Sequence, residues 1–270
     1  MRTLLICHHD APLDRVVLAR WLAATSELAG LLVIQEPPGR LHRRVKREIQ
    51  RVGPLRFLDV MAFRVYQRVH LAERDRRWEA EQVERLSRVY PELPADLPVL
   101  LTRSPSSEAA RDFIARCRPD LMLARCKSLL KEEVFSIPTK GTFVMHPGIC
   151  PEYRNAHGCF WALASGDLDR VGMTLLRIDR GVDTGPIFGY FHTAVDELAE
   201  SHFVIQNRVV LDNLPQIADL LQRIDAGTAV PIQTAGRSSR AWGQPWLSSY
   251  LRWKHQARRR SRARQYATLS

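Results

Sequence analysis

The sequence predicts an α/β fold: a doubly wound, mostly parallel sheet carrying a helical insertion and a C-terminal helical extension. Three observations predict it. Short apolar runs, such as Thr3–Cys7, Leu31–Ile34, Leu121–Leu123 and Thr142–Met145, alternate with stretches of helical period, the order that parallel pairing through crossover helices produces. The first and last of these runs stop at turn residues beside polar side chains, which is where open α/β sheets gather their chemistry. After Glu197 the pattern changes to a long helical stretch and an irregular segment rich in Gly, Ser and Trp.

Each element has a local reason. Thr3–Cys7 reads as the first strand, and Asp10-Ala11-Pro12 is a start signal for a helix over Leu13–Ala24. Leu31–Ile34 reads as the second strand, bounded by Pro37-Pro38. A helical insertion at about residues 40–92 follows; within it Phe57, Leu58, Met61, Val65 and Val69 recur at helical spacing, with Arg56, Arg64 and Arg68 between them. A strand at Pro98–Leu101, a helix at Glu108–Cys117 and a strand at Leu121–Leu123 resume the alternation. Thr142–Met145 is short and apolar enough for a buried strand and stops at His146-Pro147-Gly148. Asn155 reads as the N-cap of a helix over Ala156–Ala164, and Val171–Ile178 as a strand ending in Asp179-Arg180-Gly181. A helix over Phe203–Arg223 precedes the Trp-rich stretch, and the basic run Arg252–Arg264 is expected to fray. The expected division is an α/β domain over residues 1–195 and an extension over 196–270.

Composition bounds the setting. A chain of 270 residues that is 45% apolar buries a full core. Its apolar runs are far shorter than the ~18 residues that cross a bilayer, and MRTLLICHHD lacks a signal-peptide pattern; a cytoplasmic protein is expected. Cys7, Cys117, Cys126, Cys150 and Cys159 are odd in number and lack metal-ligand spacing, so reduced thiols and no metal site are expected. The net charge of +11 is concentrated in Arg40–Arg56 and Arg252–Arg264. The basic insertion has three readings: a packed helix with a solvated cationic face, a membrane-surface contact, or a polyanion groove. No nucleic-acid motif supports the last. Trp242, Trp246 and Trp253 either pack internally or cover another subunit, which leaves an oligomer open.

The stretch from Val144 to Gly185 carries the chemistry. It places His146 at a strand end, Asn155 and His157 at the start of the next helix, and Asp183 in the loop after the following strand. Histidine titrates close enough to neutrality to take or give a proton during attack by an amine, and a carboxylate can orient it. The plainer readings are a strand-end histidine satisfied by a backbone carbonyl and an aspartate making a turn before Gly185.

These residues resemble the signature of the folate-dependent formyltransferases, a family that includes glycinamide ribonucleotide, methionyl-tRNA and amino-sugar formyltransferases. The matching parts are His146-Pro147, Pro151 and Asp183-Thr184-Gly185, with Arg125–Pro138 similar to the preceding strand and loop. The resemblance implies a Rossmann-like formyltransferase fold and transfer of a formyl group from 10-formyltetrahydrofolate to a small-molecule amine such as an amino sugar. It implies that His146 and Asp183 are catalytic, with Asn155 or His157 assisting. It implies a folate cleft at Leu123, Arg125, Cys126, Leu129, Asp179, Gly181 and Val182. His8, His9, Asp10, Tyr153 and Arg154 are then expected on the acceptor side. The bulky His8-His9-Asp10-Ala11-Pro12 loop replaces the family's Gly-rich phosphate turn, which argues against glycinamide ribonucleotide as acceptor.

One position departs from the pattern. The family's catalytic asparagine stands two residues before the histidine, where this chain has Val144. Loss of one oxyanion donor typically costs about 10²–10³ in rate. Either another group, Asn155 or His157 among them, supplies the donor, or the site has drifted to another acyl transfer, to hydrolysis or to binding alone.

Overall fold

The computed structural model describes residues 1–35, 45 and 48–269, with side chains as far as Gln265. The rest of the basic segment Arg40–Arg56, at residues 40–44, 46 and 47, lies outside the described residues. Strands β1 (Arg2–His8), β2 (Glu27–Ile34), β3 (Val99–Thr102), β4 (Leu121–Arg125) and β5 (Gly141–His146) run parallel. After a two-residue strand, β6 (Arg154–Asn155), the chain adds β7 (Met173–Arg177) antiparallel to β5 and then β8 (Ile187–Phe191) antiparallel to β7. The sheet order is β3-β2-β1-β4-β5-β7-β8. The order reverses between β1 and β4, so their carboxyl ends flank a crevice of the kind open α/β sheets use for ligands.

The sheet is packed on both faces because β1 alternates. Leu5 and Cys7 point into one cluster and Leu4 and Ile6 into another, all four with no exposed surface. The first cluster is covered by α1, which opens as a π turn at Leu13–Leu18 and continues over Ala19–Thr25. It also takes side chains from the C-terminal part of the chain, Val209, Ile217 and Leu221. Each such leucine contributes about 1.5–3 kcal/mol by leaving water.

α2 (Pro54–Tyr66) runs through a π turn at Gln67–Leu71 into α3 (Ala72–Val89). α4 (Glu108–Cys117) is capped by Ser107, whose hydroxyl accepts from the Ala110 amide, and packs Phe113 and Ile114 on the second face. The short α5 (Glu132–Phe135) and then α6 (Gly158–Ser165), α7 (His202–Asp212) and α8 (Leu214–Asp225) follow. A two-residue strand β9 (Ala241–Trp242) pairs with β6, and α9 (Leu247–Leu269) ends the chain.

Several expectations are corrected. β2 begins at Glu27, because Gly30 interrupts the apolar run without ending the strand. The helix expected over Phe203–Arg223 is two helices: Pro215 has no amide to donate and sits in the first turn of α8, where none is needed. The basic tail is an ordered helix, since Trp253 is fully buried and donates to Glu197 at 2.8 Å, while Arg260 pairs with the same carboxylate. In α2 the buried residues are Val60 and Phe63, and the predicted stripe of Leu58, Met61, Val65 and Val69 faces outward. The helix carries two apolar arcs, and spacing alone does not say which one the core takes. Trp242, Trp246 and Trp253 pack inward with Phe63, Phe160, Trp161 and Tyr250 in a third cluster between α2, α6 and α9.

Candidate active site

β5 delivers His146 as its last residue rather than just beyond its end. The chain then turns through Pro147-Gly148 and a cis Cys150–Pro151 peptide. Thr174, opposite His146 on β7, fixes that turn: its hydroxyl donates to the Gly148 carbonyl at 2.7 Å and accepts from the Cys150 amide at 3.0 Å. Gly148 and Gly158 meet backbone to backbone, and a Cβ on Gly148 would lie 2.7 Å from the Gly158 Cα. Only that close approach lets α6 start against the turn, where the Cys159 amide donates to the Pro147 carbonyl at 2.8 Å.

The turn also folds the Tyr153 carbonyl over the histidine. His146 Nε2 lies 2.7 Å from that oxygen, and because a carbonyl only accepts, Nε2 carries the hydrogen. Nδ1 lies 3.3 Å from Asp183 Oδ2. With Nε2–H already committed, that contact is favourable only when one further proton sits between the imidazole and the carboxylate. His146 and Asp183 thus form a proton-holding pair, with the ring 3% exposed.

Asp183 is positioned from three sides. It sits in the left-handed region, at φ 52°. Its loop is shaped by Asp179, whose carboxylate accepts from the Gly181 amide at 2.9 Å and the Thr184 hydroxyl at 2.8 Å. Gly185 closes the loop where a Cβ would lie 1.9 Å from the Arg177 carbonyl oxygen. The Asn155 amide donates to Asp183 Oδ2 at 2.7 Å. Among the described residues Asp183 Oδ1 has no hydrogen-bond partner.

A cavity of about 180 Å³ opens beside this carboxylate. Cys126, Leu129, Asp179, Gly181 and Val182, all expected at a folate cleft, line it together with Asp183 and Val144. Sequence reading had Ala124, Ser128 and Leu130 only as part of the segment along this cleft and missed Leu176, Ile178 and Arg180, which complete the wall; the strand alternation that points Leu176 at Val144 was the available signal. Two expected members are elsewhere. Leu123 points into the core with no exposed surface, because alternation along β4 gives the cavity its neighbour Ala124. Arg125 is spent internally: Nε donates to Asp14 at 3.0 Å and a terminal nitrogen to the Met145 carbonyl at 2.8 Å. Asp14, in the first turn of α1, reads in sequence only as a helix-start acid.

The acceptor-side candidates divide. His8 is buried at the end of β1, where its Nε2 accepts from the Lys127 amide at 3.0 Å; His9 and Asp10 are exposed beside it. Tyr153 belongs to the core rather than to a pocket wall, with its hydroxyl on Asp167 and its ring stacked on Trp242. Arg154 braces the Asp183 loop by donating to the Val182 carbonyl at 2.8 Å. Asn155 does not cap α6, whose N-cap position is His157. Its side-chain amide donates to the Trp242 carbonyl, so the group that might have stood in for the missing asparagine points away from His146. Val144 presents methyl groups to the cavity.

His157 faces a different environment. Burial, with the positive charges of Lys127 and Arg64, pulls it down to about 4, against a hydrogen bond to Gln244. Its ring lies 6.2 Å from that of His202, which burial lowers to about 3 and whose Nδ1 has no partner among the described residues. Both rings are neutral at pH 7. Burial raises Cys150 and Cys159, each to about 12, so neither is a nucleophile at neutral pH. No cluster of metal-ligating side chains occurs among the described residues.

The formyl transferase family profile matches residues 65–217, which contain His146, Asp183, Asn155 and the residues lining the cavity. The chain belongs to the formyl transferase family. It is 28% identical over 177 residues to the methionyl-tRNA formyltransferase of Thermus thermophilus, covering 57% of this chain and 58% of that protein. With the methionyl-tRNA formyltransferase of Syntrophus aciditrophicus it shares 32% identity over 155 residues, 57% of this chain and 46% of that one. The match therefore spans about half the length of these relatives. The fold is shared with a sugar N-formyltransferase from a Shewanella species, at a TM-score of 0.53 and 13% identity over 90% of this chain and 76% of that one. It is shared as well with the phosphoribosylglycinamide formyltransferase of Anaplasma phagocytophilum, at a TM-score of 0.52 and 12% identity over 91% and 99% of the two chains. As in the sequence-based expectation, the architecture of this family member is a mostly parallel α/β sheet.

Proposed function

We propose that this formyl transferase moves a formyl group from 10-formyltetrahydrofolate to the amine of a small molecule in the cytoplasm. The observation that carries the reading is Asp183, held by His146 and the Asn155 amide with one oxygen unpartnered at the wall of the cavity. The cavity suits the flat, mostly apolar ring system of a folate: Ala124, Leu129, Val144, Leu176 and Val182 form its faces, and the backbone of residues 179–183 forms its polar edge. Bound there, 10-formyltetrahydrofolate supplies an electrophilic formyl carbon. Asp183 would take, through its unpartnered Oδ1, the proton that an attacking amine must lose, with His146 holding the carboxylate in register through Nδ1; that proton would pass to the departing tetrahydrofolate nitrogen as its bond to the formyl carbon breaks.

We favour an amino sugar as the acceptor, after the sugar N-formyltransferase that shares this fold. A tRNA acceptor draws less support, since the relatives that act on methionyl-tRNA are matched over only part of their length. Val144 favours a second reading, in which the site has drifted toward hydrolysis or binding, because no side-chain amide stands in the cavity where a developing oxyanion needs a donor.

Calorimetric titration with a stable 10-formyltetrahydrofolate analogue, followed by an amine-acceptor screen, tests the proposal. Saturable binding that survives Asp183→Ala, together with transfer that does not, is expected. A folded protein that binds no analogue leaves the proposal without its cofactor and favours the drifted site.

A further inference from the structure

Among the described residues the outward arc of α2 and of the π turn after it is left without a partner. Leu55, Leu58, Val65 and Val69 are 82%, 65%, 60% and 68% exposed, while Val60 and Phe63 on the same helix are 1% and 2% exposed. Two residues along a helix is about 200° around it, so Leu58 and Val65 stand opposite Val60 and Phe63. The buried arc is firmly seated: Phe63 lies 5.6 Å from Phe160, 5.5 Å from His202 and 5.5 Å from Tyr250. The helix therefore cannot roll to hide its outer arc without dismantling that cluster. Four large aliphatic side chains in one row exceed the scattered apolar exposure of ordinary soluble surfaces.

Charge says what covers the row. From Pro54 to Ala72 the sole acid is Asp59, which is held by the Ser248 amide at 3.0 Å and by its hydroxyl. α9 lies against α2 through the rings of Tyr250 and Tyr66, 5.4 Å apart, and has no acidic residue along its length. Arg68 on the π turn after α2, and Arg258, Arg259 and Arg262 on α9, are exposed and make no ion pair among the described residues. A second copy of the chain would bring cation against cation. An apolar row with unneutralised arginines around it matches a bilayer bearing anionic headgroups, where each basic side chain near the surface adds about 1 kcal/mol and the aliphatic row enters the acyl boundary.

We infer that α2 and α9 form a docking surface for anionic membranes. The surface belongs to a peripheral protein: no helix among the described residues is long and apolar enough to cross a membrane. It stands whether or not the cavity transfers formyl groups. The test is co-sedimentation of the full chain with phosphatidylcholine vesicles with and without phosphatidylglycerol, at low and high salt, beside the double variant Leu58→Ser, Val65→Ser. Both side chains are exposed, so the variant keeps the fold; its melting curve checks this. Expected are binding to the anionic vesicles alone, release by salt, and binding at least about tenfold weaker in the double variant. Absence of binding to anionic vesicles overturns the inference. So does equal binding by the double variant, which would assign the contact to charge alone. So does a lipid-free dimer, seen by light scattering, that the same two substitutions dissociate.

Discussion

Two pairs of histidine-centred contacts lie close together in sequence and differ in what surrounds them. At the end of β5, His146 has an acceptor on each nitrogen, the Tyr153 carbonyl and the Asp183 carboxylate. At the start of α6, His157 faces His202 among Phe63 and Phe160, with Lys127 and Arg64 adding positive charge. Burial is common to both; the sign of the neighbouring charge is not. A buried ring with an acceptor on each nitrogen is held in one orientation where a reaction can use it, while a buried ring beside cations and aromatic carbon sheds its proton and becomes packing. Reactivity in this site is therefore set by the loop that brings in Asp183 more than by histidine content.

The largest effect expected is from Asp183→Asn, which keeps the shape and removes the charge. Formyl transfer should fall by about 10³-fold, in the range of a lost general base, with the melting temperature little changed. A variant that retains most of its turnover would erase the distinction between the two pairs. Val144→Asn sharpens the same contrast from the opposite direction, by placing an amide on the cavity wall. A gain of about 10²-fold in transfer is expected if the missing donor limits the rate; an unchanged rate in a folded variant would mean that another group already fills the role.

The aromatic pair makes a prediction about pH. His157 and His202 titrate in the native protein at about 4 and about 3, below the ordinary 6.5. Between those limits the unfolded chain binds protons that the native chain does not, so stability is complete above pH 6.5 and is lost as pH falls toward 4. His202→Phe, which also removes the partnerless Nδ1, should flatten that slope by roughly 2 kcal/mol in urea unfolding at pH 7 and pH 4.5. A slope as steep as in the parent would place the titrating groups elsewhere. The smallest effect concerns the brace: Arg154→Ala removes the bond to the Val182 carbonyl and should lower turnover by about threefold to tenfold with no change in the pH profile. A shifted profile would show that Arg154 acts on the charge of Asp183 and not only on its placement.

Six strands of the main sheet, β1 to β5 and β7, were legible because each apolar run is short and ends in turn chemistry; β8, whose run Ile187–Phe191 is interrupted by Gly189, and the order of strands in the sheet were not. His146 and Asp183 were legible because each follows such a run. The cleft was legible in its loop residues, Cys126, Leu129 and Val182, but not in Leu176 or in the choice of Ala124 over Leu123, which depend on which face of a strand the sheet turns to the cavity. Asn155 shows the other limit. Its type and place fit a helix cap, yet its amide serves a carbonyl 87 residues away in sequence, and no local pattern carries that information. The outward turn of Leu58 and Val65 was hidden for a related reason: α2 has two apolar arcs, and only tertiary contact selects between them.

The β6–β9 pairing also fixes an order of events during synthesis. Asn155 supplies the amide that holds Asp183, and Asn155 is itself paired with Trp242. Ribosomes release a chain from its N-terminus, so β1 to β8 can assemble while the last strand is still in the exit tunnel. The cavity and both members of the proton-holding pair exist by then, but the strap across them does not. A nascent chain halted before Trp242 would display the site's residues without their final restraint, and emergence of β9 is the step that sets the Asp183 loop in place.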